Sequence, residues 1–157
     1  MLGFMLATIA QDRGRDWTVR SAGTHAIEGS TMSSRTRDAL ISITELGGHR
    51  YNAHRSHQVA ASDVTWADVV LGAEASNVRF TRGLVALDET KIVQVRQFVL
   101  HAPIGAPLAE QLRVVSALEL DASLDVADPA GADQDVYDEV ARSLWRLAQE
   151  FASRVTE

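Results

Sequence analysis

The sequence predicts an α/β domain. Three observations carry the prediction: the apolar residues switch between helical and strand-like periods along the chain, the run Ala67–Ala73 is too continuously apolar for a surface strand, and the C-terminal segment carries a helical stripe. At 157 residues the chain reads as one domain, 1–157. That length is enough to bury roughly two-thirds of the unfolded surface in one core.

Taken in order, residues 1–12 predict a helix that starts without a capping residue. Asp16–Ala22 (DWTVRSA) alternates like a short strand, and Gly23 and Thr24 follow as a turn. Ser33–Leu46 predicts a helix with Ala39, Leu40, Ile43 and Leu46 on one face, stopped by Gly47 and Gly48. Ala67–Ala73 (ADVVLGA) predicts a strand buried on both faces, followed by a helix over Glu74–Leu84. Lys91–Val95 predicts a third short strand, and Gly105–Leu120 and Asp133–Arg154 the last two helices. Val136, Val140, Leu144, Leu147 and Phe151 form the stripe on the final one. Strands alternating with helices imply a parallel sheet. Ligands bind such sheets at the carboxyl ends of the strands. The loops of interest are therefore those after Ala22, after Ala73 and near Asp128.

The composition is 46% hydrophobic and 23% charged, ordinary for a globular chain. A net charge of −6 gains nothing from counterion release, which argues against nucleic acid as a partner. No apolar run reaches the roughly 18 residues that span a bilayer, so no membrane segment is expected. The apolar opening MLGFMLATIA has no basic segment before it and no small-residue cleavage site, so it does not read as a signal peptide, and a cytoplasmic location is expected.

The sequence contains no cysteine, hence no disulfide, no thiolate metal site and no thiol nucleophile. His49, His54 and His57 lie close together, but no helical i, i+4 pair or carboxylate cluster accompanies them, and neither a metal nor another cofactor is expected. There is no GxGxxG, no Walker-type loop and no GxSxG elbow. Trp17, Trp66 and Trp145 are scattered and read as packing residues. Asp128-Pro129-Ala130-Gly131 is a turn signal before the last helix; by itself it reads as a surface turn. Ser21-Ala22-Gly23-Thr24 likewise reads as a plain exit from a strand.

In this order along the chain, these pieces resemble the low-molecular-weight protein tyrosine phosphatase family. Ser21–Thr24 is similar to that family's second-strand exit. His54-Arg55-Ser56-His57-Gln58-Val59 resembles its HxxRQ(V/L) segment, with His57 where the family has Arg. Asp68–Arg79 (DVVLGAEASNVR) is similar to its next strand and helix entry, and Asp128-Pro129 resembles the Asp-Pro of its general-acid loop, with Tyr137 in the helix that follows. VQVRQFVL at 93–100 is similar to actinobacterial members.

The resemblance implies a three-layer fold, a parallel sheet flanked by helices, with the first strand missing. The family opens with a strand that runs into a loop of Cys, five residues, Arg and Ser. This sequence opens inside the helix that follows that loop, so the single phosphatase-like domain is expected to be N-terminally incomplete. Phosphotyrosine hydrolysis in the family proceeds through a phosphocysteine, which needs a thiolate stabilised by backbone amides and a helix N-terminus. The Arg clamps the developing charge, and a carboxylic acid protonates the leaving phenolate. By resemblance Asp128 is the general-acid counterpart, and Ser21 and His54 stand where the family braces its phosphate loop.

Two expectations follow. Completed upstream, the product is an ordinary phosphatase acting on phosphotyrosine protein substrates. Otherwise it is a pseudophosphatase, a binding or regulatory module. An arsenate reductase of the same fold would need cysteines too. Because the family's first strand is an interior one, its absence leaves an open slot in the sheet through which the chain could self-associate.

Overall fold

The computed structural model describes residues 1–87 and 89–155. These residues form two compact units, Met1–Gln58 with Ala127–Gln149, and Val59–Val126 with the chain from Glu150.

In the first unit, helix α1 (Leu2–Asp12) buries Met5, Leu6, Ile9 and Ala10, neighbours one turn apart on one stripe. It ends at Gly14, whose φ of 62° is the left-handed turn that glycine takes without strain; there the Arg15 N–H reaches back to the Ala10 carbonyl at 2.8 Å. Helix α2 (Ser34–Ile41) starts at Ser33, whose Oγ accepts the Thr36 N–H at 3.2 Å. The pattern predicts one helix as far as Leu46, but α2 stops at Ile41. Ser42 Oγ donates to the Ala39 carbonyl at 2.7 Å, Ile43 is extended (φ −92°, ψ 112°), and a 3-10 turn, Thr44–Leu46, follows. The β-branched residues Ile41, Ile43 and Thr44 and the competing serine explain the break. The apolar spacing still finds the core, because Ala39, Leu40, Ile43 and Leu46 are all buried. Both α1 and α2 pack against that 3-10 turn.

The segment Asp16–Ala22, predicted as a strand, is extended chain outside any named strand. Its alternation is real: Trp17 and Val19 are half-buried while Asp16, Thr18 and Arg20 are exposed. A strand also needs a ladder, and among the described residues the pairing is one isolated parallel bridge just past the segment, Gly23–Gln58, with the Gly23 N–H on the His57 carbonyl at 2.9 Å.

In the second unit, α3 (Ala61–Trp66) opens with the Ala60 N–H on Asp63 Oδ2 at 2.9 Å. Strand β1 (Val70–Gly72) pairs in parallel with β2 (Ile92–Gln94), in the register Val70–Ile92, Leu71–Val93 and Gly72–Gln94. The predicted parallel α/β sheet is therefore present, with two named strands among the described residues. Between them runs α4 (Ala75–Arg82), where the expected helix lies. Gly72 is required by close packing, since a Cβ there would sit 2.7 Å from Val78 Cγ2 of α4. Val64, Val78 and Ile92 form the buried centre of this layer. Helix α5 (Val95–His101) follows β2 without a loop, and α6 (Leu108–Ser116) packs on both α5 and β2. The predicted start of α6 at Gly105 is too early, since Gly105 has φ 76° and Pro107 precedes the first helical residue.

Helix α7 (Gln134–Arg154) begins in the first unit and ends in the second. Val140, Leu144, Leu147 and Phe151 are buried along its stripe, whereas Val136, in the first turn, is 41% exposed. In the second unit the Phe151 ring lies 5.1 Å from that of Phe98. Among the described residues no helix is long and apolar enough to cross a membrane.

Candidate functional site

The three residues singled out by sequence all belong to the first unit. Ser21 reaches the start of α1 because the chain turns at Gly14 and returns extended beside the helix. At Gly3 a Cβ would stand 3.2 Å from Ser21 Cβ, so glycine is what lets the returning chain lie that close. His54 meets the same turn from the other direction. Its ring lies edge-on to Phe4, with centroids 5.7 Å apart, and Phe4 makes matching contacts with His49 at 5.3 Å and Tyr51 at 4.9 Å. Ser21 and His54 thus converge on Gly3 and Phe4, the first turn of α1.

Burial holds His54 below its ordinary imidazolium range, and the positive charges of the amino terminus and Arg55 push it the same way. Arg55 is fixed in turn by donating Nη1 to the carbonyls of Asn52 and His54 at 2.9 and 2.8 Å. His49 Nε2 pairs with Thr8 Oγ1 at 2.6 Å, and that hydroxyl also lies 3.0 Å from the Phe4 carbonyl, in position to donate to it. Tyr51 donates its hydroxyl to the Leu46 carbonyl, and burial raises its pKa.

The segment 23–30 closes on 56–58. The Gly29 N–H donates to the Ser56 carbonyl and the Ser56 N–H to the Ser30 carbonyl, both at 2.8 Å. Glu28 Oε2 accepts the Gln58 N–H at 2.8 Å, while Glu28 Oε1 faces His57 Nδ1 at 3.3 Å. Gln58 Nε2 completes the closure on the Thr24 carbonyl at 2.8 Å. His57, where the resemblance expected an arginine, is therefore paired with a carboxylate. Among the described residues no group of three or more His, Cys, Asp or Glu side chains could hold a metal ion.

Asp128 lies on the exposed loop before α7. Its Oδ1 accepts the Ala130 N–H at 3.0 Å, the Ala132 N–H bonds to the Pro129 carbonyl at 2.9 Å, and Gly131 has φ 82°. Gln134 then ties the start of α7 to α2, donating Nε2 to the Arg35 carbonyl at 3.1 Å and to Asp138 Oδ1 at 2.8 Å. The carboxylate of Asp128 is turned to its own loop and makes no hydrogen bond to Ser21 or His54. An exposed carboxylic acid on a fixed turn can deliver a proton, but the sequence offers no thiol for it to serve.

The sequence reading passed over Asp125, three residues before Asp128. Its Oδ1 accepts the Ala75 N–H at 2.7 Å and Gln94 Nε2 at 2.6 Å. No local sequence pattern marks it, since both partners are distant in the chain.

The family described as low molecular weight phosphotyrosine protein phosphatase matches residues 3–111. No curated protein matches. The chain is similar to the crystal structure of a low molecular weight protein tyrosine phosphatase from T. tengcongensis, at 25% identity and TM-score 0.77, covering 98% of this chain and 88% of that one. The YwlE arginine phosphatase from Geobacillus stearothermophilus is also 25% identical, with TM-score 0.68 and coverages of 96% and 82%. Vibrio vulnificus Wzb in complex with benzylphosphonate shares the fold at 14% identity, TM-score 0.71 and coverages of 98% and 88%. The matched span and the shared fold agree: the chain belongs to the low molecular weight phosphotyrosine protein phosphatase family.

Proposed function

We propose that these 157 residues carry the family's fold and its acid-loop residue, Asp128, as a single phosphatase-like domain without phosphatase turnover of their own. One observation supports the reading above all: the sequence holds no cysteine, and the family's phosphoenzyme route needs a thiolate. A serine hydroxyl is a far weaker nucleophile without an adjacent base. Asp128 is then the counterpart of the proton donor, while Ser21 and His54, converging on the first turn of α1, are the counterparts of the residues that brace a phosphate loop. The test is steady-state hydrolysis of p-nitrophenyl phosphate at neutral pH by the chain and by Asp128→Asn. Rates equal to buffer for both support the reading; turnover abolished by Asp128→Asn would contradict it and point to another nucleophile.

Two biological settings fit this reading. In one, residues upstream complete the domain with a strand and Cys-containing loop, and the product hydrolyses phosphotyrosine proteins in the cytoplasm. In the other, the chain is a pseudophosphatase that binds or regulates a partner. In-frame codons for Cys, five residues and Arg-Ser ahead of Met1 select the first, and a stop codon there selects the second.

A further inference from the structure

The segment that leads into the Asp128 loop is held at four successive points, all within the second unit. Buried Gln97 donates Nε2 to the Glu119 carbonyl at 2.7 Å. Buried Gln94 donates Nε2 to the Asp121 carbonyl at 3.2 Å and to Asp125 Oδ1 at 2.6 Å. Asp125 Oδ1 also accepts the Ala75 N–H at the start of α4, at 2.7 Å, and the Val126 N–H bonds to the Ala73 carbonyl at 3.0 Å.

Gln94 is fully buried, and its Oε1 has no partner. Turning the amide over would aim that oxygen at the Asp125 carboxylate, so the carboxylate fixes the amide's orientation. Both bonds to Asp125 are short and charge-assisted, the stronger kind. In the chain, Asp125 is followed by Val126, Ala127 and then Asp128, whose carboxylate is read out directly by the Ala130 N–H.

We propose that Asp125, held by Gln94 and the Ala75 N–H, is a positioning residue that sets the Asp128 loop. The proposal rests on reading Asp128 as the acid counterpart, but its test does not use activity and so stands apart from whether Asp128 donates a proton. The experiment is residue-resolved amide exchange by NMR on the full chain, wild type against Asp125→Ala and Asp125→Asn. In Asp125→Ala, the amides of Val126, Ala130 and Ala132 should exchange about tenfold faster, with the Ala130 resonance shifted, while the amides of β1 and β2 keep their protection. Asp125→Asn, which keeps an acceptor oxygen for Ala75, should recover most of that protection. Unchanged exchange at Ala130 and Ala132 would overturn the proposal, and so would acceleration spread evenly over β1, β2 and the loop, which marks general loosening. Should Asp125→Ala not fold, Gln94→Met, which removes only the amide at similar volume, carries the same comparison and the same two overturning results.

Discussion

Replacing Gly72 with alanine places a methyl carbon 2.7 Å from Val78 Cγ2 and 3.3 Å from the Glu74 carbonyl oxygen. Neither neighbour yields easily. Val78 is fully buried and sits in α4, where a β-branched side chain has one strongly preferred rotamer. The carbonyl belongs to the backbone turn that starts that helix. Overpacking of this kind costs roughly 1–3 kcal/mol. Alanine recovers about 0.5–1 kcal/mol of the chain entropy that glycine loses in a strand. The net destabilisation is about 1–2 kcal/mol, equivalent to a fall in Tm of roughly 2–8 °C for a chain of this size. Thermal unfolding followed by circular dichroism measures it, and a double-mutant cycle with Val78→Ala identifies its cause. Val78→Ala alone opens a cavity and costs roughly 2 kcal/mol. It also removes the methyl that clashes, so the pair should lose about 1 kcal/mol less than the sum of the singles. Additive losses, or a Gly72→Ala variant as stable as the parent, would refute the packing argument.

His54 makes stability depend on pH. Its folded pKa lies below the unfolded value of about 6.5, so the unfolded state binds the proton more readily. Stability should be full above that value and fall as pH drops below it, and His54→Gln should flatten the slope in a series of urea midpoints. Thr8→Val removes the hydroxyl between His49 Nε2 and the Phe4 carbonyl and leaves a half-buried ring nitrogen without its partner; a loss of about 1 kcal/mol in urea unfolding is expected. Gln111 is fully buried and holds the carbonyls of Pro103 and Arg154 through its Nε2 at 3.0 and 2.9 Å, so Gln111→Leu should cost roughly 1–3 kcal/mol in the same assay despite adding apolar surface.

Periodicity located buried faces more reliably than it located elements. Ala39, Leu40, Ile43 and Leu46 are core residues as their spacing requires, although the helix that was to carry them breaks after Ile41. The alternation of Asp16–Ala22 likewise describes which side chains face inward, but a strand is a property of two chains, and alternation in one is silent about its partner. Helices α3 and α5 were not foreseen. They are only six and seven residues long, and α5 is built from VRQFVLH, whose β-branched and aromatic residues carry no helical signal. For the site, the motifs placed Ser21 and His54 in sequence, but their meeting at Gly3 and Phe4 depends on the Gly14 turn, which no local pattern reveals. Asp125 was illegible for the same reason: its partners, Ala75 and Gln94, are 50 and 31 residues away.

The most direct test of the central claim is a phosphorus NMR time course of a phosphotyrosine peptide incubated with the chain at neutral pH. A member of this family whose sequence holds no cysteine should leave the phosphotyrosine resonance undiminished in area. A growing inorganic phosphate signal above the buffer control would contradict it.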